Sequence, residues 1–322
     1  MIILPMIFPG QDRIFNRELI DPQKATIRLR TNERSYIIPS FQYDDPDTTI
    51  AFLGGSTTEC MAVEEELRFP ALVSSNLAEH GIKANTLNAA RAGNNMQDSL
   101  NVLMNHVVND TPDFVVIMHA TNDIAFLSKE GSYVKRMGRP LDMMHVLRWL
   151  KYWISQRSYF VGFARHQLAG PRITPNATVA MPNSKELPVE HYRQRLKAFV
   201  GIARAFGIQP LLMTQPLSAL PNELRPDWAD VASQDRFNNI IREVGEETGV
   251  PVIDLAQHLV QTISNWDELN FIFYDGMHVT DQGSMIYARY ITERFLPLIQ
   301  ASLASTAEPA PPTLTPTRLS SR

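Results

Sequence analysis

Five short runs rich in Val, Ile, Leu and Phe punctuate the chain: "TIAFLG" (49–54), "KANTLNA" (83–89), "DFVVIMHA" (113–120), "IQPLLMTQ" (208–215) and "PVIDLA" (251–256). Each is bounded by turn residues and predicts a strand. Between most of them the apolar positions recur at helical spacing, in "EEELRFPALVSSNLAEHG", "MQDSLNVLMNHVVND", "PVEHYRQRLKAFVGIARAFG" and "SQDRFNNIIREVGEETG", and again after the last in "DQGSMIYARYITERFLPLI". Several of these stretches end at Gly or Asn, as helix C-termini do. Strand and helix in alternation predict an α/β domain with a mainly parallel sheet covered by helices on both faces. Ligands of such a sheet sit at the carboxyl ends of its strands.

Three regions stand outside that rhythm. Residues 1–47 form an N-terminal extension with a candidate hairpin, "KATIRLRTNERSYIIPSF". Residues 301–322 are poor in large apolar side chains and rich in Pro, Ser and Thr, which predicts a disordered tail after a single domain over 48–300. Within that domain, 128–186 is a long insert between the third and fourth strands. Its residues 131–172 hold eight Lys or Arg against one Asp, interleaved with Trp149, Tyr152, Trp153, Tyr159 and Phe160. The plain reading is a helical excursion with solvated charges. The functional ones are a lid over a pocket, or a peripheral membrane contact through 144–165.

Polar clusters follow four of the predicted strands: Gly54-Gly55-Ser56-Thr57-Thr58, "RAGNN" (91–95), "ATND" (120–123) and, after one intervening segment, "YDGMHVTDQG" (274–283). In a parallel sheet these loops share one edge, so distant residues converge. Acyl transfer needs a nucleophile, a base, a group that orients the base and donors for the developing oxyanion. Ser56, His278 and Asp275 fit the first three roles. The donors would be the backbone N–H groups of Ser56 and Gly93 and the side-chain amide of Asn122, each typically worth about 3–4 kcal/mol in a transition state.

The blocks "GGST", "RAGNN", "ATND" and "DGMH" resemble those of the SGNH hydrolases, the GDSL-like lipase and esterase superfamily, in a GGST variant. Ser56, Gly93, Asn122 and His278 fall in the family's order, and Asp275 fits its Asp-x-x-His. The resemblance covers residues 48–298. It implies a three-layer α/β/α sandwich with a five-stranded flavodoxin-like sheet, Ser–His–Asp ester chemistry and neither metal nor cofactor. Three positions depart from the family pattern: Gly55 replaces an Asp, Ala120 a Gly, and Ala90 stands where another Gly is common. None removes a reacting group. Thr58 at the second position after Ser56 breaks the Gly-x-Ser-x-Gly elbow of the α/β-hydrolases.

Alone, each residue has a plainer reading. Ser56 suits a helix cap, Gly93 a turn, Asn122 an Asx-turn, and "DGMH" a loop before a helix capped by Thr280 or Asp281. Cys60 reads as a small core residue and His119 as a satisfied core histidine. Asp123 reads as a support for the Asn122 loop. Gln215 and Asn94 are candidate substrate-binding polar groups. The net charge of −4 over 322 residues gives no sign of nucleic-acid binding, and one cysteine excludes an internal disulfide. No run of about 18 apolar residues is present, and the apolar N-terminus lacks a basic n-region and a cleavage site. A cytoplasmic or membrane-peripheral location follows as the expectation. The expected activity is hydrolysis of an O-acyl, chiefly O-acetyl, ester on a small molecule or glycan. Acyl transfer to a glycan hydroxyl and an inactive glycan- or partner-binding module are the alternatives.

Overall fold

The computed structural model describes residues 13–16, 26–133, 187–216 and 231–307. Strands β1 (Arg13–Asn16) and β2 (Thr26–Leu29) form an antiparallel pair. Strands β3 (Thr48–Gly54), β4 (Ala84–Asn88), β5 (Phe114–Met118), β6 (Gln209–Met213) and β7 (Val252–Ile253) form one sheet in the order β4-β3-β5-β6-β7, with every neighbouring pair parallel. Numbered within the sheet, this is the 2-1-3-4-5 order of flavodoxin-like folds. The helices are α1 (Ser56–Glu59), α2 (Phe69–Glu79), α3 (Met96–Asn105), α4 (Thr121–Glu130), α5 (Val189–Ala205), α6 (Val231–Thr248), α7 (Leu255–Thr262), α8 (Trp266–Ile272) and α9 (Asp281–Ala307).

The sheet is apolar on both faces because alternate residues serve alternate cores. Ile50, Phe52, Phe114, Val116 and Met118 point to one side, where Phe69, Val73 and Leu77 of α2 and Tyr287, Ile291, Phe295 and Ile299 of α9 cover them. Ala51, Leu53, Val115 and Ile117 point to the other, beneath Leu100 and Leu103 of α3, Leu196 and Phe199 of α5, and Phe237 and Ile241 of α6. Burial of each large side chain contributes about 1.5–3 kcal/mol against the cost of ordering the chain. The chain leaves β3 toward β4 but leaves β5 toward β6, so its direction reverses between β3 and β5. Residues directly after those two strands therefore flank the crevice where open α/β sheets take ligands.

Three expected boundaries change. The first seven residues of the expected tail continue α9 to Ala307, since Ala301-Ser-Leu-Ala-Ser-Thr-Ala contains no helix breaker and Leu303 packs on the core; 308–322 lie outside the described residues. The candidate hairpin is reduced to a turn with one bridge, Thr31↔Ile37, because the strand at its start pairs with β1 instead. The fifth strand is two residues long, because Asp254 turns away to cap α7 by accepting from Gln257 N–H. Of the basic aromatic insert only residues 128–133 are described, so the lid and membrane-contact expectations fall outside the described residues. No helix among the described residues is long and apolar enough to cross a membrane.

Candidate active site

Strand β3 ends at Gly54, the chain turns through Gly55, and Ser56 opens α1. Ser56 is thus the first helical residue and not the cap; its hydroxyl faces outward and lies 2.8 Å from Nε2 of His278. Gly55 is required by close approach: a Cβ there would lie 2.6 Å from Nδ2 of Asn122 and 3.3 Å from the Asn94 carbonyl oxygen. Absence of the side chain lets the Asn122 amide sit directly against the Gly55–Ser56 turn.

His278 and Asp275 share one loop between α8 and α9. Asp275 Oδ1 accepts from the N–H groups of Met277 (3.0 Å) and His278 (2.7 Å), while its Oδ2 lies 2.6 Å from His278 Nδ1. Gly276, at φ +82°, supplies the left-handed residue this tight turn needs. Burial works against the Asp275 charge, but its hydrogen bonds with His278 outweigh burial and hold the carboxyl below its ordinary range. An ionised Asp275 accepts only, so Nδ1 carries the proton and Nε2 is left to accept the Ser56 hydroxyl. Tyr274 stacks on the imidazole, with ring centroids 5.7 Å apart and planes at 15°.

The second and third blocks meet beside this chain. Arg91 N–H donates to the Gly54 carbonyl at 3.2 Å, and Asn122 Nδ2 donates to the Asn94 carbonyl at 2.7 Å. Gly93 lies between Arg91 and Asn94 with φ +81°, exposed at the turn. Ser56, His278, Asp275, Asn122 and the Gly93 loop thus gather at one sheet edge. A cleft of about 350 Å³ opens there, lined by Ser56, Thr57, Cys60, Met61, Ala62, Tyr274, Asp275, His278 and Val279.

The remaining candidates fall elsewhere. Gln215 does not line this cleft: it is buried, its Nε2 donates to Thr57 Oγ1 (3.0 Å) and its Oε1 accepts from Thr121 N–H (2.9 Å). The expected substrate contact is therefore replaced by an internal one, because both ends of the carboxamide are engaged by protein. Asn94 acts here through its backbone carbonyl. Cys60 is buried, and burial pushes its thiol up to about 12. His119 is buried with Nε2 2.7 Å from Ser99 Oγ, and Asp123 accepts from Met96 N–H at 2.9 Å, tying the Asn122 helix to the start of α3. Thr280 caps α9 by accepting from Gly283 N–H. Sequence reasoning missed Tyr274, Met61, Ala62 and Val279. Tyr274 and Val279 directly flank the Asp-x-x-His block, a signal that was present.

The fold is the doubly wound α/β arrangement that hosts many activities, and the family to which the sequence belongs makes it an esterase-type hydrolase. The sequence model of the GDSL-like lipase/acylhydrolase family matches residues 52–286, well over half of the chain, and the chain belongs to that family. No curated protein matches it. The acetyl xylan esterase AlAXEase is 15% identical, with a TM-score of 0.50 over 76% of this chain and 98% of its own. The lipase/acylhydrolase from Enterococcus faecalis is 19% identical, with a TM-score of 0.49 over 78% of this chain and 96% of its own. The acetylxylan esterase Axe2 from Geobacillus stearothermophilus is 17% identical, with a TM-score of 0.48 over 77% and 93%. Likeness at such identities concerns the fold.

Proposed function

We propose that the protein is a serine esterase that cleaves an O-acyl ester through an acyl-enzyme on Ser56. The observation that carries this reading is the unbroken chain from Ser56 Oγ to His278 Nε2 at 2.8 Å and from His278 Nδ1 to Asp275 at 2.6 Å, at the rim of an open cleft. As Ser56 attacks the ester carbonyl, His278 takes the hydroxyl proton, and the resulting imidazolium is stabilised by the ionised Asp275. His278 then gives that proton to the leaving alkoxide. Water, deprotonated by the same imidazole, releases the acid and restores Ser56. The Asn122 amide and the N–H groups of Ser56 and Gly93 serve the oxyanion.

An O-acetyl group on a carbohydrate is the substrate to try first, a choice supported by the acetyl xylan esterase that shares this fold. The test is treatment with a fluorophosphonate probe and peptide mass spectrometry, beside hydrolysis of p-nitrophenyl acetate and acetylated xylooligosaccharides. Labelling of Ser56 with loss of activity is expected. Labelling that persists in Ser56→Ala, or none in the wild type near neutral pH, overturns the mechanism. Acetyl transfer to an added glycan in preference to water would reassign the second half-reaction.

A further inference from the structure

The four-residue helix that begins with Ser56 is too short to hold itself. Helix nucleation is unfavourable at that length, and Gly55 offers no side-chain cap. The helix that carries Asn122 has a related weakness, for Ala120 precedes it and gives its first N–H groups no side-chain acceptor. One residue meets both needs. Gln215, at the end of β6, donates from Nε2 to Thr57, the neighbour of Ser56, and accepts at Oε1 from the N–H of Thr121, the neighbour of Asn122.

Gln215 is itself gripped from the far side. Its backbone N–H donates to Asn238 Oδ1 at 2.9 Å, and its carbonyl accepts from Asn238 Nδ2 (3.0 Å) and Gln234 Nε2 (2.8 Å). Gln234 Oε1 then accepts from the Thr121 hydroxyl at 3.2 Å, which closes a ring of polar contacts. Gln234 and Asn238 lie one turn apart on α6, so a rigid helix supports the assembly. Gln215, Gln234, Asn238 and Thr57 are all buried, where hydrogen bonds are short of competing water and a lost partner is costly.

We infer that Gln215 is a positioning residue which, through Thr57 and Thr121, sets the spacing between the Ser56 nucleophile and the Asn122 oxyanion donor. The inference rests on the serine-esterase reading above. Its chemistry is mechanical: a nucleophile and an oxyanion donor carried on separate strands must agree to a fraction of an ångström, and a misplacement of about 1 Å costs up to about 100-fold in rate. A residue that only stabilised the fold would lower the melting temperature without selectively slowing the step at Ser56.

The experiment compares wild type with Gln215→Met, Thr57→Val, Thr57→Ser and the double variant Gln215→Met/Thr57→Val. Second-order labelling by a fluorophosphonate is read together with kcat and KM for p-nitrophenyl acetate. Gln215→Met is expected to slow labelling and kcat by about 10- to 100-fold, with KM changed less than about threefold. Thr57→Val should also slow both, Thr57→Ser should restore them to within about twofold, and the double variant should be no slower than the worse single one. Wild-type rates in Gln215→Met, a loss carried by KM, or effects that multiply independently overturn the inference. If Gln215→Met does not fold, the comparison of Thr57→Val with Thr57→Ser decides: equal rates overturn it and rescue by Ser supports it. A wild type unlabelled at Ser56 would instead overturn the esterase reading, so the two failures are distinct.

Discussion

Among the described residues two serine–histidine–aspartate sets stand out, and their serine contacts are nearly the same. Ser56 Oγ is 2.8 Å from His278 Nε2, and Ser99 Oγ is 2.7 Å from His119 Nε2. Beyond that the sets diverge. His278 Nδ1 is 2.6 Å from Asp275 at the edge of a cleft, whereas His119 Nδ1 is 3.7 Å from Asp123 and both are buried. Asp275 keeps its charge because His278 outweighs the cost of burial. At Asp123 burial wins, raising the carboxyl to about 7, and burial also drives the His119 imidazole down to about 3. The inner set is therefore uncharged through mildly acidic pH, and Tyr133 and Met96 donate to its carboxyl. It offers a substrate no room and an imidazolium no counter-charge. A hydrogen-bonded serine and histidine alone thus do not meet the needs of the proposed chemistry, which also calls for solvent access and an ionised partner.

The widest separation between the sets should appear on deletion of each hydroxyl. Ser56→Ala should lower kcat for p-nitrophenyl acetate by about 10⁴-fold or more. Ser99→Ala should stay within about threefold. Equal losses would erase the distinction.

A smaller but sharper effect is expected at the outer carboxylate. Asp275→Asn should cost about 10²- to 10⁴-fold in kcat by unfixing the imidazole tautomer, with little change in KM. Because the folded-state pKa of Asp275 is depressed, the stability it contributes is present above about pH 4 and is lost as pH falls through its lowered value. The melting temperature of wild type minus that of Asp275→Asn should therefore be constant above about pH 4 and shrink below it, which scanning fluorimetry over acetate and formate buffers checks.

The smallest effect belongs to the inner pair and is read in stability. The raised pKa of Asp123 means that the unfolded chain releases a proton near pH 4 while the folded one keeps it to about 7, so its contribution is lost as pH rises through that window. His119 acts oppositely: below about 6.5 the unfolded chain takes a proton that the folded one refuses down to about 3. Over about pH 4–6.5 the two offset each other. Asp123→Asn removes one side of that balance, so the melting temperature of the variant minus that of wild type should rise with pH between 4 and 7. A flat difference, measured by scanning fluorimetry, would mean that Asp123 is ionised in the folded protein.

Much of this was legible along the chain, for physical reasons. Strands buried on both faces must be continuously apolar, as "AFLG" and "FVVIM" are, and the loops that gather at the sheet edge announce themselves by polar clusters at strand ends. Helix α4 escaped notice because "TNDIAFLSKE" has no capping residue before it, its first N–H being satisfied by Gln215, 94 residues further on. Helices α7 and α8 were marked by Asp254 and Asn265, each accepting from the N–H three residues later, but a single turn of apolar spacing hid them. The Gln215–Thr57 contact spans 158 positions. No local pattern encodes such a pairing, and a glutamine at a strand end looks the same whether it meets a ligand or a neighbouring threonine.

The loop that carries Asp275 and His278 is sewn shut at its base, with Thr280 N–H on the Ile272 carbonyl at 2.9 Å and Tyr274 N–H on the His278 carbonyl at 3.1 Å. His278 and Asp275 therefore travel as a single piece, and the contact with Ser56 is the seam between that piece and the rest of the sheet edge. On warming, the seam should part before the piece comes undone. Activity would then fade at temperatures where the imidazole and carboxylate remain paired and the sheet remains intact, and would return on cooling without any refolding of the domain.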